Sequence, residues 1–153
     1  MQLTIANNLK SLQESLMAVA ALGQRVAFVP TMGALHEGHM SLIQEAKNHA
    51  PVVVVSIFVN PKQFGPNEDF EKYPRMLETD TEKAFQAGAE IVYPPSIEDI
   101  YPNGFATKIS AGPIGEVLCG KTRPGHFDGV ATVVTKLLLR ILPHAALFGE
   151  KDY

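Results

Sequence analysis

Val26-Ala-Phe-Val-Pro-Thr-Met-Gly-Ala-Leu-His-Glu-Gly-His-Met-Ser-Leu42 is the stretch on which the reading of this chain turns. A short apolar run ends at Pro30, small residues follow, and His36-Glu37-Gly38-His39 opens a segment whose apolar residues (Met40, Ile43, Ala46) have helical spacing. The order is strand, turn, helix N-terminus. Backbone N–H groups without intrahelical partners, with the positive end of the helix dipole behind them, make such a turn an anion site. Two imidazoles three residues apart can face the same anion, and Gly38 lets a ligand approach the backbone. The stretch predicts a phosphate site with proton donors at hand.

The chain around it repeats the same alternation. Upstream, Asn7 or Asn8 can cap a helix with the apolar stripe Leu9, Leu12, Leu16 and Val19, ending at Gly23, and the strand is expected over Arg25 to Val29. Downstream, Val52 to Phe58 is apolar almost throughout, as a parallel strand covered on both faces must be. A polar helix over Pro74 to Ala87 and a strand over Glu90 to Tyr93 follow. Beyond them come a helical turn at Ser96 to Ile100, a short edge strand at Thr107 to Ser110, an apolar helix from Val130 to Leu142 with Asp128 as its cap, and a strand at Ala145 to Phe148. This pattern predicts an α/β fold in three layers with a mostly parallel sheet, as one domain over residues 1–153.

In such sheets ligands bind beyond the carboxyl ends of the strands. The long loop starting Asn60-Pro-Lys-Gln63 leaves the second strand at that end, which makes Asn60 and Gln63 ligand candidates; Asn before Pro also starts turns. Lys151, just past the last strand, is placed to meet phosphate oxygens. Arg123 and His126, set among glycines, could face a ligand or a subunit interface.

Composition narrows the function. A net charge of −3 over 153 residues gives no basic field for a nucleic acid backbone, so any phosphate bound is on a small molecule. The apolar run Val52 to Val59 is too short to span a membrane, and Ala18-Val19-Ala20 follows no basic, uninterrupted apolar leader, so the N-terminus reads as mature. The single cysteine, Cys119, fits the reducing cytoplasm. Two motif matches are decoys. Gly115-Glu-Val-Leu-Cys-Gly-Lys-Thr122 fits the P-loop pattern, but no strand precedes it, and Arg123-Pro124-Gly125 blocks the helix that should follow. Ile114, Val117 and Leu118 read as packing, with Lys121 and Thr122 in a loop. His36-Glu-Gly-His39 is one residue short of His-Glu-x-x-His and no acid or thiol cluster completes it, so no protein-held metal is expected.

Four blocks carry a resemblance: Pro30-Thr-Met-Gly-Ala-Leu-His-Glu-Gly-His39, Val55-Ser-Ile-Phe-Val-Asn-Pro-Lys-Gln-Phe64, Arg123-Pro-Gly-His-Phe-Asp-Gly-Val130 and Phe148-Gly-Glu-Lys-Asp-Tyr153. In this order the chain resembles the pantothenate synthetase (pantoate–β-alanine ligase) family. Members are nearly twice as long, so the chain corresponds to their N-terminal domain, with the C-terminal domain absent. The resemblance implies a Rossmann-like domain of the nucleotidyltransferase type that carries His-x-Gly-His. It also implies a two-step ligation of pantoate and β-alanine at the expense of ATP through pantoyl adenylate, and a homodimer. It places ATP on Met32, Gly33, Ala34, Leu35, His36, Glu37, Gly38 and His39 and on Gly149, Glu150, Lys151 and Asp152. His39, His36 and Lys151 then serve as catalytic groups at the phosphates, and Gln63 and Asn60 hold pantoate and β-alanine. Mg²⁺ would ride on the nucleotide. Two other readings stay open: a different nucleotidyltransferase of the His-x-Gly-His group, and an ATP-binding fragment without turnover.

Overall fold

The computed structural model describes residues 2–152. Tyr153, the last residue of the fourth block, lies outside them. Five parallel strands form one sheet: β1 (Thr4–Ile5), β2 (Val26–Thr31), β3 (Val52–Ile57), β4 (Ile91–Tyr93) and β5 (Ala145–Ala146), in the order β1-β4-β3-β2-β5. Between them run α1 (Leu9–Ala21), α2 (Glu37–His49), α3 (Leu77–Ala87), the single turns α4 (Ile97–Ile100) and α5 (Cys119–Thr122), and the long α6 (His126–Ile141).

The period of two along the central strands sorts the core into two layers. Phe28, Val54 and Tyr93 face Leu12 and Val19 of α1 and Val133, Leu137 and Ile141 of α6. Their neighbours Val29, Val53, Val55 and Val92 face Ile43 and Ala46 of α2 and Ala84 and Ala87 of α3. This is the expected α/β/α sandwich, and it explains why β3 is buried at all six positions. Asn8 proves to be the α1 cap, accepting from Ser11 N at 2.9 Å. Pro30 sits inside β2 without harm, because the β5 ladder reaches only Ala27 and Phe28 and leaves the strand edge beyond them unpaired.

The structure departs from the sequence reading in several places. The edge strand β1 has no counterpart there: two residues are too few for a periodic signal, yet Thr4 N and Ala6 N bond Glu90 O and Val92 O at 2.9 and 2.8 Å. Thr107 to Ser110 forms no strand. Ile109 N instead donates to Thr132 Oγ1 of α6 at 2.9 Å, which pins the segment to a helix. Helix α6 begins at His126 rather than Val130, with Gly125 in the left-handed region ahead of it. Asp128 is therefore no cap, and its Oδ1 accepts from Ala111 N at 2.7 Å. Lys121 and Thr122 lie in the turn α5, not in a loop, and a 3₁₀ turn (Gly112–Glu116) precedes it, so the P-loop match lacks the preceding strand and its Lys-Thr ends a single helical turn instead of opening a helix. Ile114, Val117 and Leu118 do not pack inside the chain; all three are exposed.

One contact ties α6 to the loop after β3. Gly129 lies against the Lys62 backbone so closely that a Cβ there would fall 2.3 Å from the Lys62 carbonyl oxygen. Gly129→Ala is expected to destabilise the chain by about 1–3 kcal/mol, the range for overpacking, because backbone rather than a flexible side chain must move. Denaturant unfolding checks this; an unchanged midpoint and slope would show that the two segments are not locked together.

Candidate functional site

The strand order sets β5, β2 and β3 side by side, and each chemistry-bearing segment leaves the carboxyl end of one of them. Met32 to His39 follow β2, Asn60 to Gln63 follow β3, and Gly149 to Asp152 follow β5. Phe58 N still bonds Thr31 O at 3.0 Å, so the first two segments part from one ladder rung.

The turn from β2 into α2 is held by a residue that the sequence reading missed. Asp80, on the first turn of α3, is 1 % exposed, and its two carboxylate oxygens accept the N–H groups of Ala34 and Leu35 at 2.8 Å each. Lys83 Nζ, one turn on, donates to Leu35 O at 2.8 Å. A signal was present: Asp80 continues the buried stripe Ala84 and Ala87 at helical spacing, where a carboxylate must find donors.

The imidazoles complete the turn. His39 Nδ1 accepts from His36 N at 3.3 Å, His36 Nδ1 accepts from Gly38 N at 3.1 Å, and the ring centroids are 4.2 Å apart. A Cβ on Gly38 would lie 2.9 Å from His36 Cε1, so a side chain there would push that ring off its bond to Gly38 N. The expected nest of free backbone donors is thus largely closed. Gly33, Ala34, Leu35, His36 and Gly38 all have internal acceptors for their N–H groups. What remains for an anion is different in kind. An N–H can only donate, so both Nδ1 atoms are unprotonated and each neutral ring carries its proton on Nε2. With each Nδ1 accepting from backbone, the Nε2 atoms of the two adjacent rings are left without a partner among the described residues.

Burial lowers the His39 pKa from its ordinary value, with the Lys151 charge acting in the same direction. That places Lys151 near enough to act on His39, although its ammonium is paired with Asp152 at 2.7 Å. His36 and Lys151 are exposed and His39 half-buried. An open cleft of about 540 Å³ borders Phe148, Gly149, Glu150 and Asp152. A second cavity of about 270 Å³ runs from Met32 and Gly33 under Phe70 and Arg75.

The loop after β3 is anchored from two sides. His126 Nδ1 lies 2.7 Å from Gln63 O, while Arg123 grips Glu68 with Nε to Oε1 at 2.9 Å and Nη2 to Oε2 at 2.5 Å. Hydrogen bonding from Arg123 holds the Glu68 carboxyl below the usual carboxylate range. Arg123 and His126 therefore serve the loop's geometry, and Asn60 is buried beneath it while Gln63 is partly exposed.

A lowered folded pKa has a defined consequence. His39 contributes stability that is present above 6.5, the ordinary histidine value, and is lost as pH falls through its lower folded value. A ring-proton titration of the ligand-free chain by NMR is expected to give a His39 midpoint below 6.5. A midpoint at or above that value would contradict the buried, Nδ1-accepting arrangement.

Comparison with known proteins agrees with this geometry. The family model for pantoate-beta-alanine ligase matches residues 4–153. The pantothenate synthetase of Novosphingobium aromaticivorans is 52 % identical over 147 residues, covering 96 % of this chain and 51 % of the relative. That of Trichlorobacter lovleyi is 49 % identical over 149 residues, covering 97 % and 53 %. A crystal structure of pantothenate synthetase from Thermus thermophilus superposes with a TM-score of 0.91 at 46 % identity, covering 99 % of this chain and 53 % of that one. Pantoate-beta-alanine ligase from Francisella tularensis, complexed with beta-gamma ATP and beta-alanine, gives 0.87 at 44 % identity, covering 94 % and 55 %. The chain spans about half the length of the curated relatives it matches. With its parallel α/β sheet, its paired histidines after β2 and a match over nearly every residue, the chain belongs to the pantoate–β-alanine ligase family.

Proposed function

We propose that this chain carries the nucleotide and pantoate sites of an ATP-dependent ligase that joins pantoate to β-alanine. The carrying observation is the adjacency of β5, β2 and β3, which brings Lys151, the two imidazoles and Gln63 to one end of the sheet. The F. tularensis relative, complexed with beta-gamma ATP and beta-alanine, supports the choice of substrates.

In the first step a pantoate carboxylate oxygen attacks the α-phosphorus in line, the bond to the bridging oxygen breaks, and pyrophosphate leaves. In the second, the β-alanine amine attacks the acyl carbon and AMP departs with the electron pair. Charge builds on the phosphoryl oxygens and on pyrophosphate, so positioned donors do the catalytic work. ATP lies along Met32, Gly33, Ala34, Leu35, His36, Glu37, Gly38 and His39 and against Gly149, Glu150, Lys151 and Asp152. His39 and His36 act as neutral Nε2–H donors to phosphate oxygens, and Lys151 exchanges Asp152 for the polyphosphate. Each Nδ1 is occupied in accepting a backbone N–H, which leaves Nε2 as the ring atom that can donate to a ligand. Gln63 meets the pantoate carboxylate and later β-alanine. Mg²⁺ travels on the nucleotide phosphates; among the described residues no group of three or more His, Cys, Asp or Glu could hold it.

The same reading gives a homodimer, with the exposed Ile114, Val117 and Leu118 as its natural contact, and a cytoplasmic enzyme. Among the described residues no helix is long and apolar enough to cross a membrane.

The test is pyrophosphate release from ATP and Mg²⁺ with and without D-pantoate. Pantoate-dependent release is expected, reduced about 10²–10³-fold by His39→Ala, as for loss of one preorganised donor to a developing oxyanion. The variant also loses the cap on His36, so its stability should fall by about 0.5–2 kcal/mol without loss of fold. Release independent of pantoate would contradict the ligase chemistry. ATP binding without release would assign this chain the nucleotide site alone.

A further inference from the structure

Asn60, three residues beyond β3, is 1 % exposed. Its amide offers two donor hydrogens and two acceptor lone pairs. All four are in use: Nδ2 donates to Gly129 O and to Gln63 Oε1, both at 3.0 Å, while Oδ1 accepts from Lys62 N at 3.2 Å and from Tyr101 Oη at 2.6 Å. The Gly129 carbonyl can only accept and the Lys62 N–H can only donate, so these two backbone groups fix which end of the amide is which. The Tyr101 hydroxyl must then donate. Its ring is buried just beyond α4 and tilted against Phe58 and Phe105, with centroids 6.3 and 4.8 Å away. Burial pushes the phenol up to about 12, so it keeps its proton across the neutral range.

The consequence passes one residue further. Asn60 shows Gln63 an N–H, so the Gln63 side-chain oxygen is turned inward. Nε2, which has no protein partner among the described residues, is the end left for a ligand. An amide free to rotate would offer a carboxylate its own oxygen as readily as its NH₂ group, and the first is repulsive. A saturated Asn60 has no hydrogen-bonding capacity left for a ligand.

We infer that Tyr101 is a positioning residue that acts through Asn60 to hold Gln63 with its NH₂ group toward a carboxylate-bearing substrate, and that Asn60 is a link in this relay rather than a ligand contact. The inference rests on the assignment of Gln63 to pantoate made above. It extends the site to a residue 38 positions from Gln63 in sequence, in a segment whose sequence shows no chemistry.

The test is calorimetric titration of the chain with D-pantoate and, separately, with ATP and Mg²⁺. Tyr101→Phe keeps the ring and its packing and should weaken pantoate binding about tenfold, the effect of one hydrogen bond of ordinary strength, while leaving the ATP Kd unchanged. In a Gln63→Ala background the same substitution should change pantoate binding no further. Asn60→Asp, which cannot donate to Gln63 Oε1, should reproduce the selective loss and guards against a folding defect peculiar to the tyrosine variant. Equal pantoate affinity in Tyr101→Phe and the unsubstituted chain would overturn the relay and leave the ligase reading intact. So would parallel loss of ATP and pantoate binding, or a Tyr101 effect that persists without the Gln63 side chain, since either marks a purely structural residue. Absence of pantoate binding in the unsubstituted chain would instead defeat the ligase reading, and the relay with it.

Discussion

The Asp80 carboxylate, buried on the inner face of α3, accepts the Ala34 and Leu35 N–H groups and thereby fixes how β2 turns into α2. Such a group is costly to bury unless its oxygens are bonded, and these are, to backbone donors that would otherwise point at solvent or ligand. Two effects follow. The turn that presents His36 and His39 is held by internal hydrogen bonds with no ligand present, the arrangement that electrostatic preorganisation calls for. A protein anion also already holds the amides that a bound phosphate would use in a glycine-rich phosphate loop, which is why the proposed nucleotide contacts are side chains rather than backbone.

The second constraint is topological. With β2 between β3 and β5, three loops far apart in sequence become neighbours at one end of the sheet, and short β5 needs only two ladder residues to place Lys151 there. Two of these loops are braced by different helices. Asp80 of α3 holds the histidine turn; His126 and Gly129 of α6, with Arg123 just before it, hold the Asn60 to Glu68 loop. The block Arg123 to Val130 thus contributes to the site by positioning a loop.

Much of this was legible in the sequence because it follows from period and punctuation. The unbroken apolar β3 announced a strand covered on both faces, and the Asn60-Pro61 step marked where the chain leaves it. The rejection of the P-loop match also needed only local rules. What escaped notice depended on partners distant in sequence. Asp80 reads as one acid among several on a polar helix until α2 is packed against it. Asp128 looks like a cap until Ala111 is found as its donor, and β1 gains its identity only from β4. The helical spacing of Ile114, Val117 and Leu118 suggested packing, but a 3₁₀ turn and a left-handed Leu118 leave these side chains outside. The free helix N-terminus was the reverse case: the local rule was sound, and internal acceptors from His36, His39 and Asp80 overrode it.

Whether β5, β2 and β3 build one nucleotide site, and the P-loop look-alike none, can be tested directly by mapping amide chemical-shift changes when ATP and Mg²⁺ are added to the ¹⁵N-labelled chain. Perturbations at Met32 to His39 and at Gly149 to Asp152 together, with Gly115 to Thr122 unmoved, are the result this account predicts. Perturbations centred on Gly115 to Thr122, with the histidine turn silent, would contradict it.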